Sequence, residues 1–424
     1  MAHSAIDPAA LLRRCYDAAI AAVQPRRALG AALAPLRPTP QPCWIIAMGK
    51  ASVGMAQTIV DWLAAARREP AGGVIVAAEE HPSPHPALRL VVGDHPIPGA
   101  RSALAADAIG EIVARIPATA EVHVAISGGT TALVAGPLAP LTAAEMTATF
   151  NALLSSGLDI REMNAVRKRV TRWSAGRLAA ALAGRRVFVW SISDVPGDDP
   201  GSIGSGPCTG DPWTSGEVLR LIEERGVAER LAPTVLTSMQ RETPKPDDAV
   251  LRAVSMSIVA NNTIAVRAAA AEAEHHGVGT IAFPGGLVGE AAAMGRSIAA
   301  EIVARDGAPR LLIWGGETTV TITGDAGRGG RSQELALAAA GSLWEHRRHA
   351  TLLAAGTDGR DGPTDAAGAL IDGFTWRRIA ACGRDPAADL ARHDAYAALD
   401  AAGALVRTGP TGTNVSDLAI AFTR

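Results

Sequence analysis

Short apolar runs that end in glycine and give way to a helix-forming stretch recur along the chain, and this repetition constrains the fold more than any single residue does. The first complete unit is Cys43-Trp-Ile-Ile-Ala-Met48, a buried-strand pattern. The glycine turn Gly49 to Gly54 follows it, and a helix begins near Met55. The pattern returns in Gly73-Val-Ile-Val, in Leu88 to Val92, in Val122-His-Val-Ala-Ile-Ser127 before Gly128-Gly129, and in Arg186-Val-Phe-Val-Trp. Strands alternating with helices predict a parallel, doubly wound sheet, which collects ligands at the carboxyl ends of its strands. The unit resumes after Val254, with helices expected over 264–275 and 289–305 and a strand from Leu311 running through Gly315-Gly316 to Ile322.

A chain of 424 residues exceeds one ordinary core, so two domains are expected, 1–240 and 250–424, joined by the polar, proline-containing stretch Arg241 to Asp248. The amino-terminal helix, residues 8–23, shows Leu11, Leu12, Cys15, Ala19 and Val23 on one side. Residues 142–183 read as two helices, the second carrying the basic run Arg167-Lys168-Arg169. Forty basic and forty-two acidic residues leave a net charge of −2, which gives no electrostatic footprint for nucleic acid or an anionic membrane. Scattered cysteines (15, 43, 208, 382), charges in the first helix and no membrane-length apolar run lead to the expectation of a soluble cytoplasmic protein.

The segment Ser191 to Thr214 buries almost nothing and carries Asp194, Asp198, Asp199 and Asp211 among glycines and hydroxyls. So long a loop in a compact domain points to binding or motion. Either a metal- and phosphate-handling loop or a turn-rich crossover fits it. Gly49-Lys50 is no Walker A loop, because Trp44 stands where the first glycine belongs. A degraded G-x-A-x-x-G dinucleotide turn fits weakly, since Glu79 and Glu80 lie too far downstream to serve as its ribose acceptor. Lys50 then reads as a point charge for phosphate or carboxylate, against the alternative of a solvated lysine.

Ser127-Gly128-Gly129-Thr130-Thr131 offers backbone N–H groups and hydroxyls to an anion, or serves simply as a tight turn. Gly327 to Glu334 repeats the device: Gly329 and Gly330 supply donors, Arg331 a fork for oxyanions, and Glu334 lies one turn on. Glu317, after Gly315-Gly316, is a carboxylate for a hydroxyl or a metal. Gly356 to Asp365 fails the EF-hand pattern, but magnesium beside nucleotide phosphates needs only one or two carboxylates. Asp194, Asp198 or Asp358 would suffice. No G-x-S-x-G elbow appears, and His81, His85 and His95 read as surface residues of proline loops.

Taken in order, AMGKAS (47–52), GDHPIPG (93–99), ISGGTTAL (126–133), SISDVPGDDPGSIGSGPCTGDPWT (191–214), WGGETTVTITGDAGRGGRSQELALAAA, AAGTDGRDGPTDAAGALID and GPTGTNVSDLAI resemble the glycerate kinase family of the two-domain type with a C-terminal MOFRL domain. The hydroxyl-rich turn departs slightly, with threonine where serine is expected at one of two positions. The resemblance implies an α/β protein. Its N-terminal domain would be Rossmann-like, with a doubly wound, mostly parallel sheet, and a smaller second α/β domain would leave an active site in the cleft between them.

The implied reaction is ATP-dependent phosphorylation of D-glycerate, usually to 2-phosphoglycerate, with Mg²⁺ as cofactor. No nucleic acid or membrane partner is implied, and a homodimer is left open. Lys50 and Arg331 would neutralise developing charge, Ser127 to Thr131 would hold carboxylate or phosphate, and Asp194 would orient the metal or accept the hydroxyl proton. Gly204, Ser205 and Asn414 join the expected binding residues, and Asp211 is expected to be only a turn residue. An NAD(P)H-dependent hydroxypyruvate reductase and a non-catalytic glycerate or nucleotide sensor are the alternatives.

Overall fold

A computed structural model describes residues 7–305, 309–348 and 350–423. The chain forms two compact units, Ala28–Val259, and Met1–Arg27 with Ala260–Arg424.

In the first unit lie β1 (Cys43–Met48), β2 (Gly72–Ala77), β3 (Leu88–Val92), β4 (Glu121–Ile126) and β5 (Arg186–Ile192), with β6 (Val254–Ala260) at the sheet's edge. The order is β3-β2-β1-β4-β5-β6. Each neighbouring pair from β3 to β5 is parallel. Every residue of β1, β2 and β4 is buried, so the sequence there runs apolar without alternation, as strands covered on both faces must. Ile46, Met48, Val74, Ile109, Val122, Val124 and Val189 share one core. A second cluster, including Met146, Leu153, Val166, Val218, Ile222 and Val235, gathers the helices Ala143–Leu154, Ile160–Val170, Ser215–Glu224 and Pro233–Met239.

The other unit holds β7 (Gly279–Leu287), β8 (Arg310–Gly316), β9 (Thr351–Gly356), β10 (Gly368–Asp372), β11 (Leu405–Val406) and β12 (Asp417–Thr423), in the order β11-β10-β9-β12-β8-β7. β7 and β8 are parallel. β12 inserts antiparallel between β8 and β9, pairing Asp417 with Gly316 on one side and with Gly356 on the other. The helix Arg331–Glu345 is buried along most of its length, and its alanines 336, 338, 339 and 340 let it lie close in the core.

Several elements differ from the sequence expectation. Residues 142–183 form three helices, because the chain breaks again between Val170 and Arg177. The strand after Arg310 stops at Gly316, whose φ of +138° turns the chain away before Glu317. The helix Pro8–Ala22 belongs with the C-terminal half. Its Tyr16 hydroxyl donates to Gly356 O at 2.7 Å, and Thr413 Oγ1 donates to Val23 O at 2.8 Å.

The stretch 241–248 is no linker either. Pro244 O accepts from Asp211 N at 2.8 Å, Lys245 Nζ donates to Trp213 O at 2.6 Å, and the unit continues to Val259. Asp211 is therefore more than a turn residue. It is buried, receives Thr243 Oγ1 at 3.1 Å and faces the fully buried Arg169 guanidinium at 3.5 Å. The run 167–169 is accordingly an inward-facing feature rather than a surface patch. Among the described residues no helix is long and apolar enough to cross a membrane.

Removing Asp211 would leave Arg169 as a buried charge short of its carboxylate. Asp211→Ala should cost about 3–5 kcal/mol of stability, read as a fall in thermal midpoint; an unchanged midpoint would show that Glu242 and the carbonyl oxygens satisfy Arg169 without Asp211.

Candidate active site

The sheet of the first unit turns back between β1 and β4: the chain proceeds from β1 outward to β2 and β3, then returns to place β4 on the other side of β1. The carboxyl ends at such a switch point form the natural ligand crevice. Ser127 Oγ accepts from Ala51 N at 3.0 Å, and Lys50 N donates to Gly128 O at 2.9 Å. Thr130 Oγ1 donates to Ser127 O at 2.7 Å, with Met48 O also within 3.0 Å. Gly49, at φ +115°, admits nothing larger, because a β-carbon there would lie 2.3 Å from Ser127 Oγ.

Ser127 and Thr130 are fully buried and their hydroxyls are engaged in joining the two loops, so the part facing ligand falls to the residues around them. Lys50 is exposed. A β-carbon on Gly129 would sit 3.5 Å from Lys50 Cγ and 3.1 Å from His95 Nε2, so both side chains border that glycine. Thr131 Oγ1 meets Ser205 Oγ at 2.9 Å, and Gly204, at φ +56°, rests against Thr130. The ends of β1, β4 and the loop after β5 thus carry Lys50, Gly128, Gly129, Thr131, Gly204 and Ser205 together, and add His95, an exposed residue as expected, but one that borders Gly129. Asp194 lies half-buried two residues beyond β5. Asp198, also half-buried, ends the turn Pro196–Asp198.

The same backbone bonds argue against a dinucleotide turn. Lys50 N, Ala51 N and Ser52 N donate to Gly128 O, Ser127 Oγ and Gly49 O, so the donors a pyrophosphate would require at this turn are already engaged.

In the second unit, charge concentrates where β8, β9 and β12 meet. Arg331 binds Glu317 through Nη1 and faces Asp417 with Nε at 3.3 Å. Asp417 is buried, its Oδ2 lacks a hydrogen-bond partner, and burial pushes its carboxyl up to about 7 against the pull of Arg331. Asp358 and Asp417 flank Gly356, since a β-carbon there would have their Oδ1 atoms at 3.4 and 3.3 Å.

The expected anion site at Gly329-Gly330 is filled from within. Asp361 accepts from Ser332 N at 3.2 Å and Gln333 N at 2.8 Å, and a β-carbon on Gly330 would lie 2.3 Å from its carboxylate. Burial raises the Asp361 carboxyl to about 6, opposed by those two amides. Glu334 is likewise engaged, by His393 Nδ1 at 2.8 Å. Asn414 Oδ1 accepts from Ser416 N at 3.3 Å. Asp361 and Asp417 are the residues sequence reasoning missed; Asp361 had a signal, an acid within a glycine loop, and Asp417 had only its place before a closing apolar run.

At the opposite end of β1 and β4, Cys43, Glu121 and His123 lie within 4.8 Å of one another. Trp190 Nε1 donates to His123 Nδ1 at 3.0 Å, which leaves Nε2 to carry the proton toward Glu121 Oε1 at 3.1 Å. That hydrogen-bonded tautomer occupies the nitrogen a metal would need.

A family model described as a domain of unknown function, DUF4147, matches residues 11–240, and the MOFRL family model matches 310–417. A glycerate 2-kinase of Pyrococcus horikoshii is 36% identical over 89% of this chain and 87% of its own length. The crystal structure of a glycerate kinase from Thermotoga maritima superposes with a TM-score of 0.88 at 33% identity, covering 98% of this chain and 99% of that one. The chain belongs to the glycerate kinase family. A protein of Agrobacterium vitis provisionally named a hydroxypyruvate reductase, 37% identical over 96% of this chain and 93% of its own, is similar to the same degree. Within the glycerate kinase family, then, the two clusters are what this chain offers to chemistry: one cationic and glycine-rich, the other an arginine among carboxylates.

Asp417 supplies a test of the second cluster. Unfolded, its carboxyl ionises near pH 4, whereas folded it holds its proton to about 7. The folded state therefore binds more protons between those values, and its stability falls as pH rises through that window, by up to about 1.4 kcal/mol per pH unit, then levels. Asp417→Asn should abolish this part of the slope. Thermal midpoints from pH 4 to 8 check it; parallel curves for the two proteins would exclude a raised Asp417.

Proposed function

We propose that the protein is an ATP-dependent glycerate kinase that converts D-glycerate to 2-phosphoglycerate. The observation that carries this reading is the exposed Lys50 held at the β1/β4 switch point beside a glycine and hydroxyl loop, in a chain of this family. Phosphoryl transfer demands little covalent help and much placement of charge. The substrate hydroxyl attacks the terminal phosphorus of ATP, the bond to the bridging oxygen breaks, and ADP leaves with the electron pair. Lys50 lies where its ammonium can meet oxyanion charge, while the Thr131 and Ser205 hydroxyls, 2.9 Å apart, lie along the loop from the Gly129 that borders Lys50. Asp194, past the end of β5, is our candidate to take the hydroxyl proton.

Arg331 is the cation of the second cluster, and Glu317 and Asp417 fix its guanidinium until an anionic ligand competes for it. The carboxylate oxygens of Asp358 and Asp417, which flank Gly356, are the hard donors that Mg²⁺ takes. Bound there, the ion would shield phosphate charge. All four cysteines are free thiols, which supports a reducing, cytoplasmic setting.

The engaged amides of the Gly49 turn weigh against a nicotinamide reductase. ADP release with D-glycerate should therefore be robust while NADH oxidation with hydroxypyruvate stays at background; the reverse outcome would replace the kinase reading. Lys50→Ala and Arg331→Ala should each lower kcat by about 10²–10³-fold, as loss of a charge-stabilising group does. Turnover near wild type in either would remove that residue from the mechanism.

A further inference from the structure

The helix Ile160–Val170 ends in three consecutive cations with different fates. Arg167 lies over the Phe150 ring at 5.3 Å from its centroid. Arg169 is consumed by Asp211 and by the Trp213 and Arg241 carbonyls. Lys168 is only 7% exposed, yet among the described residues no hydrogen bond or ion pair is made by its ammonium. Desolvating an ammonium without a hydrogen-bonded partner is costly, and such a cost is frequent at sites that receive a charged ligand. The ammonium borders the loop described above: a β-carbon on Gly201 would lie 3.7 Å from Lys168 Nζ and 3.5 Å from both carboxylate oxygens of Asp199.

The loop is shaped for close approach. Gly204, Ser205 and Gly206 have φ of +56°, +65° and +60°, and Asp199 pins the entry by accepting from Gly201 N at 3.2 Å and from Ser202 Oγ. Its far side reaches Thr131 through Ser205. Lys168 and Thr131 therefore border one loop, the first at Gly201 and the second at Ser205.

We propose that Lys168 is a further ligand-binding residue of this crevice, its ammonium and the Gly201–Gly206 loop together receiving a carboxylate or phosphate oxygen of the reacting pair. The inference rests on the kinase reading for the identity of that pair. Burial draws the Lys168 pKa below the ordinary lysine value while the charges of Asp211 and Asp199 oppose the shift, so an arriving oxyanion would supply the contact these carboxylates make only at a distance.

The test compares the full-length wild type with Lys168→Met, in steady-state kinetics and in calorimetric titrations with D-glycerate, ADP and 2-phosphoglycerate. Lys168→Met should lose about 100-fold or more in kcat/KM while its thermal midpoint stays equal or rises, since an unpaired buried charge has been removed. A raised KM for D-glycerate assigns the contact to the carboxylate and a raised KM for ATP to a nucleotide phosphate. A lowered kcat with both KM values unchanged assigns it to the phosphoryl group in transit. Each supports the proposal. Kinetic constants and all three affinities within twofold of wild type would overturn it, as would a lowered midpoint with unchanged affinities, which would mark Lys168 as structural.

Should the methionine variant fail to fold, Lys168→Gln, which keeps a polar tip, is read by the same criteria. A wild type that binds these anions without turnover would fail the kinase reading alone, and the calorimetric comparison would still decide Lys168.

Discussion

Ser127 and Gly49 meet where β1 and β4 end, and the geometry of the first unit's crevice follows from that meeting. Two parallel strands finish side by side, and the hydroxyl of one loop takes the amide of the other at a distance that leaves no room for a side chain on Gly49. With the backbone amides of residues 50–52 turned inward to carbonyl and hydroxyl acceptors, the lysine that follows the glycine is left pointing outward. A flexible loop could carry the same residues, but their positions would then have to be ordered afresh for each ligand, at an entropic cost. Here that ordering is completed by folding.

The second unit solves a different problem. Inserting β12 antiparallel between β8 and β9 brings one strand's beginning against two strands' ends, so acids that are distant in sequence converge on one short stretch of sheet edge. Glu317, Asp358, Asp361 and Asp417 would repel one another without compensation. Arg331 answers two of them, the amides at the start of its own helix answer Asp361, and the remaining cost appears as the raised proton affinity of Asp417 and Asp361. The cluster is thus held short of full ionisation by its own burial.

What could be read beforehand divides along the range of the forces involved. The strands of the first sheet are legible because full burial on both faces writes itself as a continuous apolar run, and the glycine turns mark where each ends. Lys50 and Thr131 are legible for the same reason, since each sits within five residues of such an end, whereas Ser205 is read from the glycines and hydroxyls of its loop. The fates of Asp211, Lys168 and His95 were not. Local sequence gives an aspartate in a turn, a lysine in a basic run and a histidine among prolines, whereas burial, ion pairing and proximity to Gly129 come from elements far along the chain. Gly329-Gly330 misled in the opposite direction: the helix start it announced is real, but the anion it receives is the chain's own Asp361. The amphipathic stripe of residues 8–22 announced a buried face without saying what would cover it.

That last feature bears on how the protein comes off the ribosome. Leu11, Leu12 and Tyr16 are made before Ala28–Val259, yet the helix Asn262–His275, the strands β9 and β12 and the Gly356 carbonyl against which their helix packs are synthesised after it. The intervening unit is fully synthesised once Val259 emerges, whereas the apolar face of the helix Pro8–Ala22 must wait through the whole of that unit before its cover begins with Asn262–His275, at about 5–20 residues per second. For that interval the helix is an uncovered apolar surface tethered to a domain still being made, a condition in which nascent chains depend on chaperones.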